Sequence, residues 1–184
     1  PSGGGKQVKF WRFGSVSGGG SIGEGTYVSV PGTGPVYRIA GGAPVYVSSW
    51  AAVGGPKPVT GISQQQFNSL RTYPADGTFV NAGGRVYRIA GGAPIYLSSF
   101  SAIPGSGGGV GIDPAAVDNA GQGGVWNHLR TYPADGTYVN AGGFVYRTAG
   151  GAPIYLSSFS AIPGSGGGVG IDPAAVDNAG RGDP

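Results

Sequence analysis

The sequence contains no cysteine and no methionine, and it holds a single histidine among its 184 residues. Without thiols the chain forms neither disulfides nor thiolate metal sites, and cysteine usage assigns no redox compartment. Charged side chains are also scarce, because eleven basic and eight acidic residues leave a formal net charge of +3. Proteins that bind nucleic acids cluster Lys and Arg on one face, so this sparse charge argues against a nucleic-acid partner.

Long apolar runs are missing as well, since none approaches the ~20 residues that a membrane-spanning helix needs. The sequence therefore predicts no membrane span. No signal peptide is recognisable, but the chain begins at Pro1 without a methionine. Such a start is typical of a processed or trimmed product, so the missing signal is weak evidence against secretion.

Glycine and proline are abundant, with 41 and 15 residues respectively, or about 30 per cent of the chain. A fraction this high raises the question of disorder. However, Tyr, Phe, Ile and Val alternate through the same stretches, whereas disordered chains lack aromatic and β-branched residues. We therefore expect most of the chain to fold.

An internal repeat organises the sequence. Residues 86–121 return as residues 145–180 with a single change, Ile89 to Thr148, and a looser copy occupies residues 36–62. Self-similarity of this kind indicates a repeat architecture. The predicted organisation is a glycine-rich leader with one strand, 1–24, and three units, 25–76, 77–135 and 136–184, the second ending in a linker that holds Trp126 and His128.

Each unit is predicted to be a three-stranded meander followed by a short helix. Period-two alternation marks the strands, and glycine pairs mark the turns between them. Ser63, Asp113 and Asp172 stand where a helix N-cap belongs, the two aspartates each before a proline. The fold class is therefore all-β, with three tandem units packed as a repeat array. A closed pseudo-threefold or propeller-like arrangement is the alternative.

The sequence contains few candidate catalytic residues. A Ser or Thr nucleophile needs a base, and His128 in the linker is the only histidine. We interpret it as a side chain packed at a unit junction beside Trp126. Paired carboxylates suit glycoside cleavage, but Asp113 is better explained as a helix cap, and Asp76 and Asp135 as turn residues. The sequence predicts no enzyme and no cofactor.

Three further motifs are weak. The glycine-rich loops 105–111 and 164–170 lack the Gly-Lys-Ser/Thr of a phosphate cradle, and an Asp-Pro helix start follows each. The recurring Asp113, Asp118 and Asn119 match neither calcium-loop spacing, so no metal site is predicted. Residues 181–183 spell the Arg-Gly-Asp tripeptide, which also arises by chance.

Aromatic residues recur at equivalent positions and admit two interpretations. They form the core of thin sheets, because aromatics exclude the most water per residue. Alternatively, one row stays exposed and stacks on sugar rings, with one weak site in each unit. The candidate ligand-binding residues are Tyr46, Tyr96, Tyr155, Trp50 and Trp126. Arg38, Arg88 and Arg147 recur beside them, and pairing with Asp76 or Asp135 would bridge units.

The pattern in residues 77–100 resembles the tandem repeats of secreted and surface-attached actinobacterial proteins. The matching steps are Gly-Thr-aromatic-Val, Val-Tyr-Arg, Ala-Gly-Gly-Ala-Pro and Ser-Ser-aromatic, and the likeness covers residues 25–180. The resemblance implies a secreted or cell-surface location and an accessory binding or spacer role. Units 2 and 3 depart from the pattern in their Ser-Ala-Ile-Pro-Gly-Ser-Gly-Gly-Gly-Val-Gly loop.

Three functions follow from these observations. The first is a non-catalytic extracellular module that binds a glycan or cell-wall surface through repeated Tyr and Trp. The second is a structural spacer or self-assembling fibre or surface subunit, in which the aromatics are core. The third is an accessory region of a secreted enzyme. The partners are therefore a surface polysaccharide or further copies of the chain, with no nucleic acid.

Overall fold

A computed structural model describes residues 22–103, 107–158 and 167–179. Within these residues one pattern of four strands and a helix occurs three times. Unit 1 contains β1 Tyr27–Ser29, β2 Val36–Ala40, β3 Ala43–Val47, β4 Val59–Gly61 and α1 Gln64–Ser69. Unit 2 contains β5 Phe79–Ala82, β6 Arg85–Ala90, β7 Ala93–Tyr96, β8 Val110–Ile112 and α2 Pro114–Asp118. Unit 3 contains β9 Tyr138–Ala141, β10 Phe144–Ala149, β11 Ala152–Leu156, β12 Val169–Ile171 and α3 Pro173–Asp177.

Each unit forms its own four-stranded sheet. In unit 1 the strand order is β3-β2-β1-β4, and the other two sheets follow the same order with their own strands. The first three strands pair antiparallel as a meander, as predicted. The fourth strand crosses to the far edge and pairs in parallel with the first, as Val59 does with Tyr27. Sequence analysis missed this strand, which is only three residues long.

Glycine pairs make every hairpin turn except the one between β1 and β2, which is formed by residues 31–34. Between β5 and β6 the turn residues Gly83 and Gly84 have φ of 61° and 94°, in the left-handed region that glycine enters without strain. Asn81 lies in β5, two residues before the turn. Its side chain accepts a hydrogen bond of 2.8 Å from the Gly84 amide. The asparagine thus stabilises the turn through its side chain, although its backbone belongs to the strand.

The helices begin where the capping residues predict. Ser63 forms a capping box with Gln66 at the start of α1. Asp113 and Asp172 cap α2 and α3, and each helix opens on a proline. All three helices are short, and no helix in the described part of the chain is long and apolar enough to cross a bilayer.

The units stack on one another in a row. One hydrophobic cluster contains Ala40 and Val45 of unit 1 together with residues of unit 2, namely Val80, Ala82, Ile89, Ile112, Ala116 and Leu129. A second cluster joins Ala90 of unit 2 to Val139, Ala141 and Ile171 of unit 3. Each core is therefore shared between neighbours, and the prediction of tandem all-β units is confirmed. The closed alternative is not the arrangement of the described residues.

The one difference between residues 86–121 and 145–180 falls in the core. Ile89 is fully buried, and Thr148 at the equivalent position is 4% exposed. The threonine hydroxyl donates a 2.6 Å hydrogen bond to the Ala134 carbonyl, so the buried polar group has a partner.

Candidate functional site: the junctions between units

The tyrosines predicted to bind a ligand lie on β3, β7 and β11, each across from a tyrosine of the neighbouring strand. In every pair the ring centroids are 5.7 Å apart and the rings meet nearly edge to face. The partners of Tyr46, Tyr96 and Tyr155 are Tyr37, Tyr87 and Tyr146. Tyr46 and Tyr96 are partly buried, whereas Tyr155 is 54% exposed. The three equivalent rings thus do not share one degree of exposure.

The two candidate tryptophans lie in different surroundings. Trp126 of the unit 2 linker packs edge-on against Tyr46 of unit 1, with ring centroids 4.8 Å apart. Trp50 lies 5.7 Å from the ring of Tyr27. The structure therefore brings together Tyr46 and Trp126 among the five candidates, and it uses this pair to join unit 1 to unit 2.

His128 lies at the same junction, as predicted. Its Nδ1 is 2.9 Å from the Thr72 carbonyl oxygen, to which it donates in the neutral ring. Its ring also meets Tyr37 and Phe67 edge to face, at centroid distances of 5.9 and 6.0 Å. Burial lowers the pKa of His128, and the hydrogen bond to Thr72 offsets only part of that shift. The histidine is thus held in its neutral form between two units.

A buried carboxylate links each pair of neighbouring units. Asp113 is 1% exposed, and its Oδ1 accepts from the Ala115 amide at the start of α2. Its Oδ2 accepts from both the amide and the hydroxyl of Ser48 in unit 1, each at 2.6 Å. Asp172 of unit 3 repeats the arrangement with Ser98 of unit 2, at 2.6 and 2.5 Å. One side chain therefore caps a helix and docks the preceding unit.

The surroundings of Asp172 favour its charged form. Burial by itself would raise its pKa, but the hydrogen bonds outweigh this effect. They come from the Ser98 hydroxyl and from the backbone amides of Ala174, Ser98 and Ser99, and together they lower the pKa of Asp172. A buried carboxylate with several donors is a strong acceptor, because hydrogen bonds to charged groups are about twice as strong as neutral ones.

An arginine makes the second polar contact at each junction. Arg38 of unit 1 donates from Nη1 to the Gly111 carbonyl of unit 2. Arg88 donates in the same way to the Gly170 carbonyl of unit 3, at 2.7 Å. A Cβ at Gly111 would lie 2.9 Å from the Arg38 Nη1, so a side chain there would displace the guanidinium. Burial lowers the pKa of Arg88.

These contacts define two faces of a unit. The donor face carries the arginine and the serine, Arg38 with Ser48 or Arg88 with Ser98. The acceptor face carries the glycine carbonyl and the capping aspartate, Gly111 with Asp113 or Gly170 with Asp172. Sequence reasoning singled out the arginines and the capping aspartates. It did not predict that the glycine carbonyls and the serines would be their partners.

The expected pairing of these arginines with Asp76 or Asp135 is wrong. Asp76 accepts from the Gly91 amide, and Asp135 accepts from the Gly150 amide, each at 2.7 Å. Both carboxylates therefore hold a glycine turn in place. This outcome agrees with their interpretation as turn residues.

A groove of about 640 Å³ runs between the unit 1 linker and the β6–β7 turn of unit 2. The Arg130 guanidinium lies 4.3 Å from the centre of the Tyr73 ring within this groove, and Asp76 binds the Gly91 amide. Arg71 and Arg130 are equivalent in sequence, and so are Tyr73 and Tyr132. The stacking of Arg130 on Tyr73 is thus a contact between the two linkers, made by residues that recur in the repeat.

The candidate metal-binding residues do not form a second site in the described part of the chain. Asn119 donates to the Ala115 carbonyl, and Asp118 is exposed. Within residues 22–103, 107–158 and 167–179, no three His, Cys, Asp or Glu side chains converge as a metal site would require. The leader strand, the Arg-Gly-Asp tripeptide and parts of both glycine-rich loops lie outside the described residues.

Comparison with protein-family models, with curated proteins and with solved structures finds no match to this chain.

Replacement of Asp113 by Asn is expected to lower the free energy of unfolding by about 2–4 kcal/mol, because the amide satisfies fewer of the three donors that bind the buried carboxylate. Equilibrium denaturation with guanidinium chloride measures the change. Asp118→Asn is the matched control, since Asp118 is exposed on the same helix. In a double-mutant cycle Asp113→Asn and Ser48→Ala should be strongly non-additive. Additive effects would show that the hydrogen bond from the Ser48 hydroxyl contributes nothing to stability.

Stability is expected to fall as the pH drops below about 6.5. The unfolded chain binds a proton at His128 near pH 6.5, whereas the pKa of the folded histidine is lower, so protonation favours unfolding. His128→Gln retains a donor for Thr72 without titrating, and it should flatten this part of the profile. Asp172, whose pKa is also lowered, acts only at more acid pH, near 4 and below. An unchanged slope in the Gln variant would contradict the assignment.

Proposed function

We propose that this chain is a non-catalytic structural module, an open row of stacked β units that holds attached parts at a fixed separation. The observation that carries the proposal is the repetition of one contact at two junctions. The aspartate–serine and arginine–glycine pairs recur with the same atoms between units 1 and 2 and between units 2 and 3. Repeat proteins gain rigidity from such nearest-neighbour interfaces.

The aromatic side chains support the same proposal. Tyr46 and Trp126 contact each other across a junction, and Ala40 and Val45 are buried against the next unit. Side chains used in this way are core residues rather than a ligand platform. His128, the only candidate base, is occupied by Thr72, Tyr37 and Phe67, which favours a non-catalytic role.

Glycan or cell-wall binding is the second candidate function, and one observation favours it. Tyr155 and Tyr132 in the last part of the row are 54% and 65% exposed. Exposed tyrosine rings are suited to stacking on sugar rings. A secreted or cell-surface location, which rests on the resemblance of the repeat pattern, is proposed for both functions.

The structural role predicts a single narrow distance between the ends of the row. Because the chain has no cysteine, Gln65→Cys and Asp177→Cys introduce the only two sites for spin labels, on exposed positions of α1 and α3. Pulsed electron paramagnetic resonance should give one narrow distance distribution, since both junctions are fixed. Adding Asp113→Asn should broaden it, and adding Asp118→Asn should not. A broad distribution in the labelled chain without further substitutions would rule out a rigid spacer.

The glycan candidate predicts loss of binding from an exposed ring. Tyr155→Ala should weaken co-sedimentation with insoluble cell-wall polysaccharide, while Tyr96→Ala, at the partly buried equivalent, should weaken it less. Circular dichroism spectra that match the parent chain would establish that both variants fold. Equal binding by the parent chain and the Tyr155 variant would contradict a stacking role for this ring.

A further inference from the structure

Unit 3 carries a complete donor face that nothing in the described part of the chain covers. Arg147 and Ser157 are equivalent to Arg38 and Ser48, and Arg147 is exposed whereas Arg38 and Arg88 are partly buried. The register is also the same, because Arg147 pairs with Ile154 as Arg38 pairs with Val45. Among residues 22–103, 107–158 and 167–179, no carboxylate or glycine carbonyl is placed on these two side chains.

The apolar residues of the unit 3 donor face are also more exposed than their equivalents in unit 1. Val45 is 1% exposed beneath unit 2, whereas Ile154 at the equivalent position is 52% exposed. Ala40 and Ala43 are fully buried, but Ala149 and Ala152 are exposed. Soluble proteins rarely leave contiguous apolar surface of this kind open without an interaction partner.

The linker that precedes unit 3 and the β10–β11 turn of unit 3 are open too. Tyr73 lies beneath Arg130, whereas its equivalent Tyr132 is 65% exposed. A Cβ at Gly91 would collide with Thr137, but a Cβ at Gly150 would meet nothing within 4 Å. The arginine, the serine, the apolar residues and the glycine turn of the donor face are therefore all present at this end, and no part of the described chain covers them.

A second copy of the chain does not supply the missing half. Its free end is unit 1, where neutral Ser63 stands in place of the capping aspartate and already bonds with Gln66. Gln66 occupies the position of Ala116, which is buried against unit 1 in the existing junction. Pro31 lies beside Gly61, where the arginine would have to enter. Unit 1 is thus a cap rather than an acceptor face.

We infer that the donor face of unit 3 is a docking site for a further repeat unit of the unit 2 type, joined in the same row. The occupant carries a glycine carbonyl and an aspartate-capped helix, the chemistry that covers Arg38 with Ser48 and Arg88 with Ser98. The inference rests on the proposed structural role of the stack. It adds that the two ends of the row differ: unit 1 is a cap, and unit 3 is the end that binds a further unit.

The test extends the full chain by a second copy of residues 122–180 after Gly180, which repeats the existing join between Gly121 and Gln122. Hydrogen exchange is measured on the peptide that contains the Ser157 amide. Docking should slow its exchange by about tenfold or more, because the amide gains a charged acceptor. The same extension with Asn in place of the added copy's capping aspartate should restore fast exchange. Equal exchange in the parent and the extended chain would overturn the inference.

Other occupants give different results. Concentration-dependent association of the parent chain that protects Tyr155 would assign the face to a second copy and overturn the inference. Protection of the Ser157 peptide by insoluble cell-wall polysaccharide would assign it to a glycan and overturn it as well. The spin-label distance between α1 and α3, measured in the parent and extended chains, separates the two proposals. A narrow distance without docking leaves the structural role standing and rejects only the further unit.

Discussion

The fold depends on a buried carboxylate that serves two neighbours at once. Asp113 and Asp172 lie beneath the preceding unit with 1% and 3% exposure, where an unpaired charge would be costly. Donors from the helix start satisfy one oxygen, and Ser48 or Ser98 satisfies the other. The cap bond forms within one unit, but the second carboxylate oxygen gains its donors only when two units are in contact, so helix capping and stacking share one side chain.

This coupling matters because a single unit is too thin to bury its own residues. A four-stranded sheet with one short helix covers one face, and strands alternate their side chains between both. Val45 and Ala40 point away from the helix of their own unit and are buried only because unit 2 covers them. Equivalent residues in unit 3 are exposed. Whether one of these residues is buried thus depends on whether another unit covers it, and not on the type of residue.

Much of the fold was predictable from local chemistry. Alternation identified the meander strands, and the Ser and Asp-Pro signals identified all three helix starts, because both depend on nearby residues alone. The fourth strand was missed because Val110–Ile112 is short, follows a glycine-rich loop and pairs with a distant strand. Its identity as a strand is decided by β5, which the local sequence does not reveal.

The junction contacts were harder to predict for a related reason. Ser48 and Asp113 are 65 residues apart, and nothing near either one signals the other. The arginines were visible as a recurring row, but their acceptors are backbone carbonyls, which every residue has. Only the glycine at 111 and 170 distinguishes these acceptors, and in a chain with 41 glycines that signal is lost.

Near-identical units raise the question of what fixes their order. The acceptor faces of units 2 and 3 have the same chemistry, so unit 3 could dock on unit 1 and leave unit 2 aside. The linker after α2 opposes this error, because Trp126 and His128 contact Tyr46, Phe67 and Thr72 of unit 1. Unit 2 has Val117 where unit 1 has Phe67, so it offers His128 no equivalent ring. The aromatic contacts therefore select a neighbour where the polar contacts cannot.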